Sequence, residues 1–377
     1  GPIIVFVGGF IGLNLAPTPV LATLPVACMV VGIALFMLPA IKLISLLGRK
    51  KAFVIVVIFG AFNSLLSAYS IYIGHFWLFC LSIILFGVTL ATVQQFRFAA
   101  MESVDKDKGA NAVSVLLLAG LIAAFLGPEI AFVAKDSMQT EFVGSFIGIS
   151  CLLLCSLLFL GFYQQIEKEQ NQTERQSRPI KEIAKQPIFL ASIVSAAVGF
   201  TVMSFVMTAT PISMHVHNHF SMEDTKWVIQ SHIIAMYLPS FFTAGLINRF
   251  GQKKILYAGI ISFLLCIFIG FAGQEYLHFW SSLVLLGIGW NFMFVSATSL
   301  LPSSYEPEEK FKVQGFNDTV VFTSQAIASL SAGLVISSVG WNGLLLTCIP
   351  LLLLSAFFVM SCQRKESNKL STSGEAL

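Results

Sequence analysis

The stretch "LLGRKKAFVIV" at residues 46–56 has a counterpart, "RFGQKKILYAG", at residues 249–259. Both stretches place a glycine and a pair of lysines directly before a long apolar run. A second pair of segments, 85–114 and 285–315, aligns Gly87 with Gly287 at an offset of 200, close to the offset of 203 between the first two stretches. Two unrelated segments that repeat at nearly one offset predict a duplicated unit.

The composition predicts that both copies lie in a membrane. The chain of 377 residues is 56% apolar and 11% charged, with 35 phenylalanines, whereas a soluble domain carries roughly 25% charge. So much apolar surface indicates a multi-pass membrane protein. A net charge of +3 is too small to indicate a nucleic-acid partner, and the seven cysteines form no CxxC pair. The sequence contains no G-x-x-x-x-G-K-[ST] motif, so it does not indicate the use of ATP.

Twelve apolar segments are predicted to cross the membrane as helices, because a crossing helix needs about 20 apolar residues. Other backbone conformations would leave polar groups unpaired in lipid. The first segment is short, and we interpret it as the second half of a truncated span. The segments are 3–16, 25–47, 52–74, 76–100, 112–134, 142–164, 188–211, 227–248, 254–273, 279–301, 318–339 and 342–362.

The basic residues predict the orientation. Alternating loops place twenty Lys and Arg residues on one side and only Lys135 and Lys226 on the other. By the positive-inside rule, the first side, with the C-terminus, is cytoplasmic. We therefore predict an all-α membrane protein with an N-terminal six-helix bundle at 1–164, a polar cytoplasmic linker at 165–187, and a C-terminal six-helix bundle with a short tail at 188–377.

Six plus six spans, a central linker and basic glycine loops after spans 2 and 8 resemble the Major Facilitator Superfamily. The run GRKK at 48–51 matches the loop signature of that family, whose acidic position is Ser45 here and Asn248 in the second half. The stretch "AAFLGPEIAF" at 123–132 is similar to a helix-5 signature of its antiporter branch. The resemblance implies a monomer and transport by alternating access, around a central site lined by helices 1, 4, 7 and 10.

The resemblance also implies inner gates. Glu102, at the end of span 4, would pair with Arg49 and act as a latch, unless it is a solvated charge at a helix end. Glu306 would pair with Lys253 or Arg249 in the second half. The remaining predicted gate residues are Lys42 and Asp318 as a cross-domain pair (with an N-cap role as the alternative for Asp318), the loop glycines Gly48 and Gly251, and Gly127 and Pro128 of span 5.

Span 5 also carries a stripe of small residues, since Ala119, Ala123, Gly127 and Ala131 recur every four positions. Such a stripe allows two helices to approach closely. By the resemblance, the neighbour is helix 8 at the outer gate, and Pro128 bends helix 5 there.

Polar and aromatic residues inside spans are predicted to line the solute cavity. The trio at 201, 204 and 208 shares one helix face, although small hydroxyl groups also serve in helix packing. Arg97 is either an anion clamp or an arginine whose head reaches the membrane surface. Trp290 next to Asn291 suits an amphipathic ligand. The predicted set is Asn14, Gln94, Gln95, Arg97, Thr201, Ser204, Thr208, Trp290, Asn291 and Gln325.

Glu129 in span 5 and His232 in span 8 are the candidate proton carriers. An ionisable group within a membrane costs about 3 kcal/mol or more and is therefore a functional hypothesis by default, and histidine titrates near neutral pH. The alternatives are a carboxylate that reaches water for Glu129 and a satisfied buried side chain for His232.

Three histidines in the loop between spans 7 and 8 form a weak metal-site hypothesis. The side chains of His215, His217 and His219 would share one side of an extended strand, and histidine is a common ligand of Zn and Ni. No carboxylate or cysteine completes the set, so the alternative is a plain polar loop and no metal site.

The sequence thus predicts a secondary transporter of the bacterial inner membrane rather than an enzyme. Its partners are a small organic solute and the lipid bilayer, with no nucleic acid and no cofactor. A proton is the expected coupling ion, and export is favoured. One alternative is a permease for an anionic metabolite or siderophore-like carboxylate, in either direction; another is a membrane receptor or enzyme built on the same fold.

Overall fold

The computed structural model describes residues 2–18, 21, 24–163 and 178–374, and every regular element among them is a helix. Short 3-10 and π turns connect some of these helices. The α-helices are α1 (Pro2–Leu15), α2 (Leu24–Leu47), α3 (Arg49–Tyr72), α4 (Phe76–Gln94), α5 (Phe96–Glu102), α6 (Gly109–Ala134), α7 (Val143–Phe162), α8 (Ile180–Ile183), α9 (Pro187–Pro211), α10 (Met222–Tyr237), α11 (Ser240–Phe250), α12 (Gln252–Ala272), α13 (Tyr276–Leu300) and α14 (Lys310–Gly374).

The predicted number of twelve spans is not confirmed. In the described part of the chain, eight helical stretches are long and apolar enough to cross a membrane, or nine if α10 and α11 form one span. α1 has only 14 residues, and the apolar stretch counted within α6 is short. The predicted spans 11 and 12 both fall within α14, which is interrupted by a non-helical φ of 70° at Gly340.

Two predicted spans are divided, in different ways. The fourth is divided at the single residue Gln95 into α4 and α5, but Gln95 keeps helical backbone angles and residues 76–102 run as one span. The eighth divides at Leu238 and Pro239 into α10 and α11, with a bend of 41°. Proline has no N–H and its ring clashes with the preceding turn, which explains the second break.

The two basic loops share one backbone conformation. Gly48 and Gly251 directly precede α3 and α12, with φ values of 76° and 85°. Residues with a side chain rarely adopt a positive φ, so both turns require glycine. The predicted gate role of the two glycines stays a prediction.

The chain divides into two compact units, one formed by residues 1–103 and 122–172 and the other by residues 104–121 and 173–377. This division follows the predicted bundles except at 104–121, which contains the first part of α6 and groups with the second unit. The predicted linker at 165–187 is described only from residue 178 onward.

The glycines that define the repeat lie at matching helix contacts in the two units. A Cβ atom on Gly87 of α4 would lie 2.1 Å from the carbonyl carbon of Gly32 in α2. A Cβ atom on Gly287 of α13 would lie 2.7 Å from the carbonyl oxygen of His232 in α10. In both units, therefore, the aligned glycine lets two helices touch through their backbones.

Candidate solute-binding and gating sites

Arg49 fastens the loop between α2 and α3 to the C-terminal end of α5. The Nε and Nη2 atoms of Arg49 donate to the two carboxylate oxygens of Glu102 at 3.0 and 2.7 Å, and Nη1 lies 3.5 Å from the carbonyl oxygen of Gln95, between α4 and α5. A bidentate pair between guanidinium and carboxylate is strong and directional. The pairing implied by the family resemblance is thus present, and its action as a latch stays a prediction.

Arg97 lies on α5 and is buried, with 3% of its surface exposed. Its Cζ atom lies 4.6 Å from the ring centroid of Phe98, and its Nη1 atom lies 3.4 Å from Oε1 of Gln94. An arginine that reaches the membrane surface would expose its guanidinium. The burial of Arg97 therefore favours an internal role over that alternative.

Five aromatic side chains from α9, α10, α13 and α14 of the second unit form what we call the aromatic cluster: Phe200, Tyr237, Trp290, Phe294 and Phe322. Trp290 stacks on Phe294 with ring centroids 4.9 Å apart and planes 19° apart. Phe200 packs edge-on against three members at 5.2–5.3 Å, and Tyr237 lies 6.0 Å from Trp290. Edge-on and stacked pairs of this kind add to the energy of burial.

The aromatic cluster contains one unused hydrogen-bond donor. Trp290 is 3% exposed, and its indole Nε1 has no hydrogen-bond partner among the described residues. Leaving a buried donor unmet costs about 1–3 kcal/mol. The cluster therefore combines flat apolar surfaces with a donor that a bound acceptor would satisfy.

The predicted polar residues divide between packing and partly open positions. The hydroxyl groups of Thr208 and Ser329 lie 3.3 Å apart. Ser204 is buried, with its hydroxyl 3.9 Å from Sδ of Met203. Thr201, Gln325 and Gln94 are half-buried, Gln95 is buried and Asn14 is exposed.

Asn291 holds the break in the eighth predicted span. Its Nδ2 donates to the carbonyl oxygen of Met236 at 2.8 Å and to Oγ of Ser240 at 2.7 Å. Its Oδ1 accepts from Oγ1 of Thr243 at 2.7 Å. The amide of Asn291 is thus engaged at the junction of α10 and α11, and in this arrangement it offers little to a solute.

A residue beside the small-residue stripe makes a close contact between α6 and α10. Ala119 and Ala123 are exposed. The close contact is made by Gly120, where a Cβ atom would lie 3.0 Å from Cε1 of Tyr237. This contact lies one residue, about 100° of helix rotation, from the stripe. Gly127 of the stripe is buried, and the predicted approach of the stripe to helix 8 at the outer gate stays a prediction.

Glu129 and its neighbours lie within one continuous helix. α6 runs through Gly127 and Pro128 without interruption, Gly127 is buried and Glu129 is exposed. The side chain of Pro128 lies outside the described set. The exposure of Glu129 is compatible with both readings of its carboxylate, as a proton carrier or as a group that reaches water.

His232 is fully buried between α10 and α13. Its Nδ1 lies 2.9 Å from the carbonyl oxygen of Leu283. Since a carbonyl oxygen only accepts, Nδ1 carries the proton of this bond. Its Nε2 is buried and has no partner in the described part of the chain. The histidine therefore ties two helices together and leaves one nitrogen with a lone pair.

The three loop histidines do not lie on an extended strand. The backbone of Ile212–His217 forms a π-helical turn, so the extended strand that the metal hypothesis assumed is not present there. His219 is exposed with a φ of 56°. The side chains of His215 and His217 lie outside the described set, and the described residues contain no group of three or more His, Cys, Asp or Glu that could hold a metal.

The acid of the second half that carries a buried ion pair is Glu309 rather than Glu306. The Nε and Nη2 atoms of Arg178 donate to the carboxylate of Glu309 at 2.7 and 2.6 Å, and its backbone N–H donates to the same group at 3.0 Å. These hydrogen bonds lower the pKa of Glu309 to about 2. Glu306 instead forms a capping box with Glu309. The partner of Glu309 is therefore Arg178 of the linker, and pairing of Glu306 with Lys253 or Arg249 stays a prediction.

Asp318 is fully buried and accepts a hydrogen bond from Nδ2 of Asn317 at 2.8 Å. Because α14 begins at Lys310, Asp318 lies well inside the helix, and the N-cap alternative is wrong. Lys42 is exposed on α2. Pairing between Lys42 and Asp318 stays a prediction.

Comparison with known proteins identifies the class. A sequence profile described as "Major Facilitator Superfamily" matches residues 2–219 and again 192–376. The chain belongs to this family, whose members are transporters and not enzymes. It is a multi-pass membrane transporter for a small-molecule substrate.

Individual relatives give a finer comparison. The chain is 37% identical to the riboflavin transporter RfnT of Brucella anthropi, over 90% of this chain and 86% of that one. It is 27% identical to the uncharacterised transporter YdeG of Bacillus subtilis, over 88% and 81%. Its fold matches that of the human organic anion transporter MFSD10, with a TM-score of 0.73 over 95% of each chain at 14% identity.

Sequence reasoning missed several residues of these sites. Phe294 follows Trp290 by four positions, and Phe200 precedes the predicted Ser204 by four positions; both were recoverable from spacing, because residues four apart share a helix face. Tyr237 and Phe322 join the cluster from other helices. The pair of Arg178 and Glu309, 131 residues apart, had no local signal, because nothing in either segment specifies the other.

Proposed function

We propose that this chain moves a planar aromatic metabolite of the flavin type across the bacterial inner membrane by alternating access, driven by a proton gradient. The observation that carries the proposal is the aromatic cluster with its buried and unmatched Trp290 N–H. An isoalloxazine is a flat tricycle with carbonyl acceptors on one edge, which complements such a site. Similarity to a riboflavin transporter over 90% of the chain supports this substrate class.

The energies involved are consistent with solute recognition. An aromatic contact contributes about 0.5–1.5 kcal/mol beyond burial and a hydrogen bond about 1 kcal/mol. A micromolar Kd needs about 8 kcal/mol, so buried ring area and polar contacts must supply the rest. Thr201 and Thr208 on α9 and Gln325 on α14 are the groups that we assign to the hydroxyl groups of a ribityl chain.

Proton coupling and direction complete the proposal. Glu129 and His232 are the candidate carriers, and the favoured direction is export, as the sequence analysis predicts. We expect a monomer with its C-terminus in the cytoplasm. Transport in oriented vesicles, measured before and after the proton gradient is collapsed, tests the coupling. Transport compared between inside-out and right-side-out vesicles tests the direction.

Equilibrium binding tests the substrate class without assuming a direction. Flavin fluorescence is followed while purified protein is added to riboflavin. We expect saturable quenching, because a stacked indole quenches the ring, and we expect competition by a flavin ring without its ribityl chain but not by ribitol. A Kd of 1 mM corresponds to a binding free energy of only about 4 kcal/mol. Absence of saturable binding at riboflavin concentrations up to about 1 mM would contradict the proposal.

A second candidate is an anionic metabolite such as a carboxylate. Its specific support is Arg97, which is buried in α5 next to Gln94, because a buried guanidinium is a strong binder of anions. Under this alternative, Arg97→Gln would abolish binding of the anion. Under the flavin proposal, the same change leaves binding of neutral riboflavin within a fewfold of wild type.

A further inference from the structure

We propose that Tyr237 recognises the imide edge of the flavin ring, by accepting a hydrogen bond from the ring N–H between the two carbonyl groups, and that Gly120 positions it. This inference rests on the proposed function and names the part of the solute that the site distinguishes. α10 ends at Tyr237, directly before the break at Leu238 and Pro239. The ring of Tyr237 lies edge-on to Trp290, with centroids 6.0 Å apart and planes 78° apart.

The hydroxyl group of Tyr237 differs from those of two other tyrosines in the second unit. The hydroxyl group of Tyr305 accepts from Nε2 of Gln314 at 2.8 Å. That of Tyr257 donates to Oε1 of Gln363 at 3.5 Å. Among the described residues, the hydroxyl group of Tyr237 makes no hydrogen bond, although the side chain is half-buried. A buried tyrosine usually has a partner for this group.

Two neighbouring aromatic side chains of the aromatic cluster therefore each carry an unmatched polar group. The indole of Trp290 only donates, whereas the phenol of Tyr237 both donates and accepts. A ligand edge on which an acceptor stands beside a donor suits this pair. The pyrimidine part of an isoalloxazine has such an edge, because its ring N–H lies between two carbonyl groups. With ring centroids 6.0 Å apart, one tricyclic ring can bridge the indole and the phenol.

The backbone on both sides of Tyr237 is held by α13. Nδ2 of Asn291 donates to the carbonyl oxygen of Met236 at 2.8 Å and to Oγ of Ser240 at 2.7 Å. Trp290, the residue before Asn291, contacts the ring of Tyr237. One helix thus fixes both the backbone around Tyr237 and a contact of its ring. A group held in this way loses little freedom when a ligand binds, which favours affinity.

Gly120 of α6 lies against the other side chain surface of Tyr237. A Cβ atom at this position would lie 3.0 Å from Cε1, 3.3 Å from Cδ1 and 3.4 Å from Cζ of the ring. An alanine would therefore move the ring by a few tenths of an ångström, and the hydroxyl group would move with it. Gly148→Ala in α7 is the matched control. It makes the same change in helix propensity, and a Cβ atom there meets nothing within 4 Å.

The experiment compares riboflavin with its N3-methyl derivative, in which a methyl group replaces the ring proton that Tyr237 accepts. Quenching of flavin fluorescence gives both Kd values for each protein. We expect the wild type and Gly148→Ala to bind riboflavin about five- to tenfold more tightly than the methyl derivative, the effect of one hydrogen bond. Tyr237→Phe keeps the ring and should bind both flavins with similar affinity. Gly120→Ala should show an intermediate preference.

The outcomes separate this inference from the proposed function. A wild type that binds riboflavin and the methyl derivative equally would overturn the inference, and this comparison needs no variant. Tyr237→Phe that keeps the full preference for riboflavin would also overturn it. Gly120→Ala that keeps the full preference would exclude the positioning role of Gly120. If the wild type binds neither flavin, the proposed function fails, and this inference fails with it.

Discussion

Two buried indoles in the second unit show how one hydrogen bond separates a structural residue from a binding residue. Trp341 and Trp290 are each 3% exposed. The Nε1 of Trp341 donates to the carbonyl oxygen of Gly270 at 3.0 Å, whereas the Nε1 of Trp290 has no partner among the described residues. The first indole is satisfied by the fold, and under the proposed function a ligand supplies the acceptor for the second.

Replacing each indole with phenylalanine should therefore act in opposite directions. Trp290→Phe removes a donor that has no partner, so we expect an unchanged or higher Tm. We also expect riboflavin binding to weaken about five- to tenfold, because the variant loses one hydrogen bond of ~1 kcal/mol to the ligand. Trp341→Phe leaves the carbonyl of Gly270 without its partner and should lower the Tm. Thermal unfolding and fluorescence titration of both variants check this, and unchanged binding in Trp290→Phe would exclude its N–H as a ligand contact.

His232 allows a similar separation of structure from proton transfer. An asparagine side chain places its N–H close to the position of Nδ1, so His232→Asn should keep the bond to the carbonyl of Leu283 while removing the titratable group. If His232 carries the proton, this variant should bind solute normally but lose acceleration by a pH gradient. Transport by His232→Asn that keeps the wild-type pH dependence would leave Glu129 as the remaining candidate.

At the scale of elements, polar side chains from other helices lie at the two places where a predicted span is divided. The guanidinium of Arg49 lies at the carbonyl of Gln95, between α4 and α5. The amide of Asn291 bridges the end of α10 and the start of α11. In a membrane, a broken helix needs such partners, because lipid offers none.

Asn291→Leu should destabilise the protein, since it leaves the hydrogen-bonding groups of Met236, Ser240 and Thr243 without this partner. We expect a loss of about 1–3 kcal/mol, because polar contacts between membrane helices are individually modest. Asn63→Leu is a suitable control, because the Nδ2 of Asn63 makes a single bond, to the carbonyl of Ser82, and its loss should be smaller. Equal losses for the two variants would contradict the role of Asn291 at the break.

The ion pair between Arg178 of the linker and Glu309 gives a prediction about how stability depends on pH. The ordinary carboxyl pKa of 4.5 falls to about 2 in Glu309 because Arg178 binds the ionised form. The resulting stabilisation is therefore complete above pH 4.5 and is lost as the pH falls toward 2. Glu309→Gln should lower stability by about 1–3 kcal/mol, toward the lower value because Arg178 is partly exposed.

Unfolding measured at several pH values checks this sign. The difference in free energy of unfolding between the wild type and Glu309→Gln should stay constant from about pH 5 to 8 and become smaller below pH 4.5. Arg178→Gln should show the same difference, and the double variant should lose little more than either single change. A difference in free energy of unfolding that grows in acid would show that the ion pair between Arg178 and Glu309 is not the source of the stabilisation.

How far the sequence predicts the elements depends on whether the signal is local. Pro239 marks a break that proline chemistry anticipates, whereas the division at Gln95 has no proline or glycine and keeps helical backbone angles. Trp290 and Asn291 are adjacent in sequence, yet one joins the aromatic cluster and the other closes a helix break. Adjacent helical residues point about 100° apart, and only the packed neighbours decide which of them faces a ligand.

At the scale of the whole molecule, the duplication organises both halves and also shows where they diverge. Gly48 and Gly251 repeat one turn, and Gly87 and Gly287 repeat one helix contact. These features were predictable because each depends on glycine alone. The inner acid differs between the halves, since Glu102 pairs with a loop arginine and Glu309 with a linker arginine. Family membership follows from the shared plan, and under the proposed function solute choice follows from residues such as Trp290 that the plan leaves open.

Transport of riboflavin by purified protein in liposomes tests the central claim most directly. Labelled riboflavin is followed across the membrane with an imposed pH gradient, and cooperative thermal unfolding of the same sample shows that the protein is folded. We predict flux well above that of protein-free liposomes, a decrease on addition of a protonophore, and competition by unlabelled flavin. Riboflavin flux no faster than in protein-free liposomes, with folded protein present, would contradict the account.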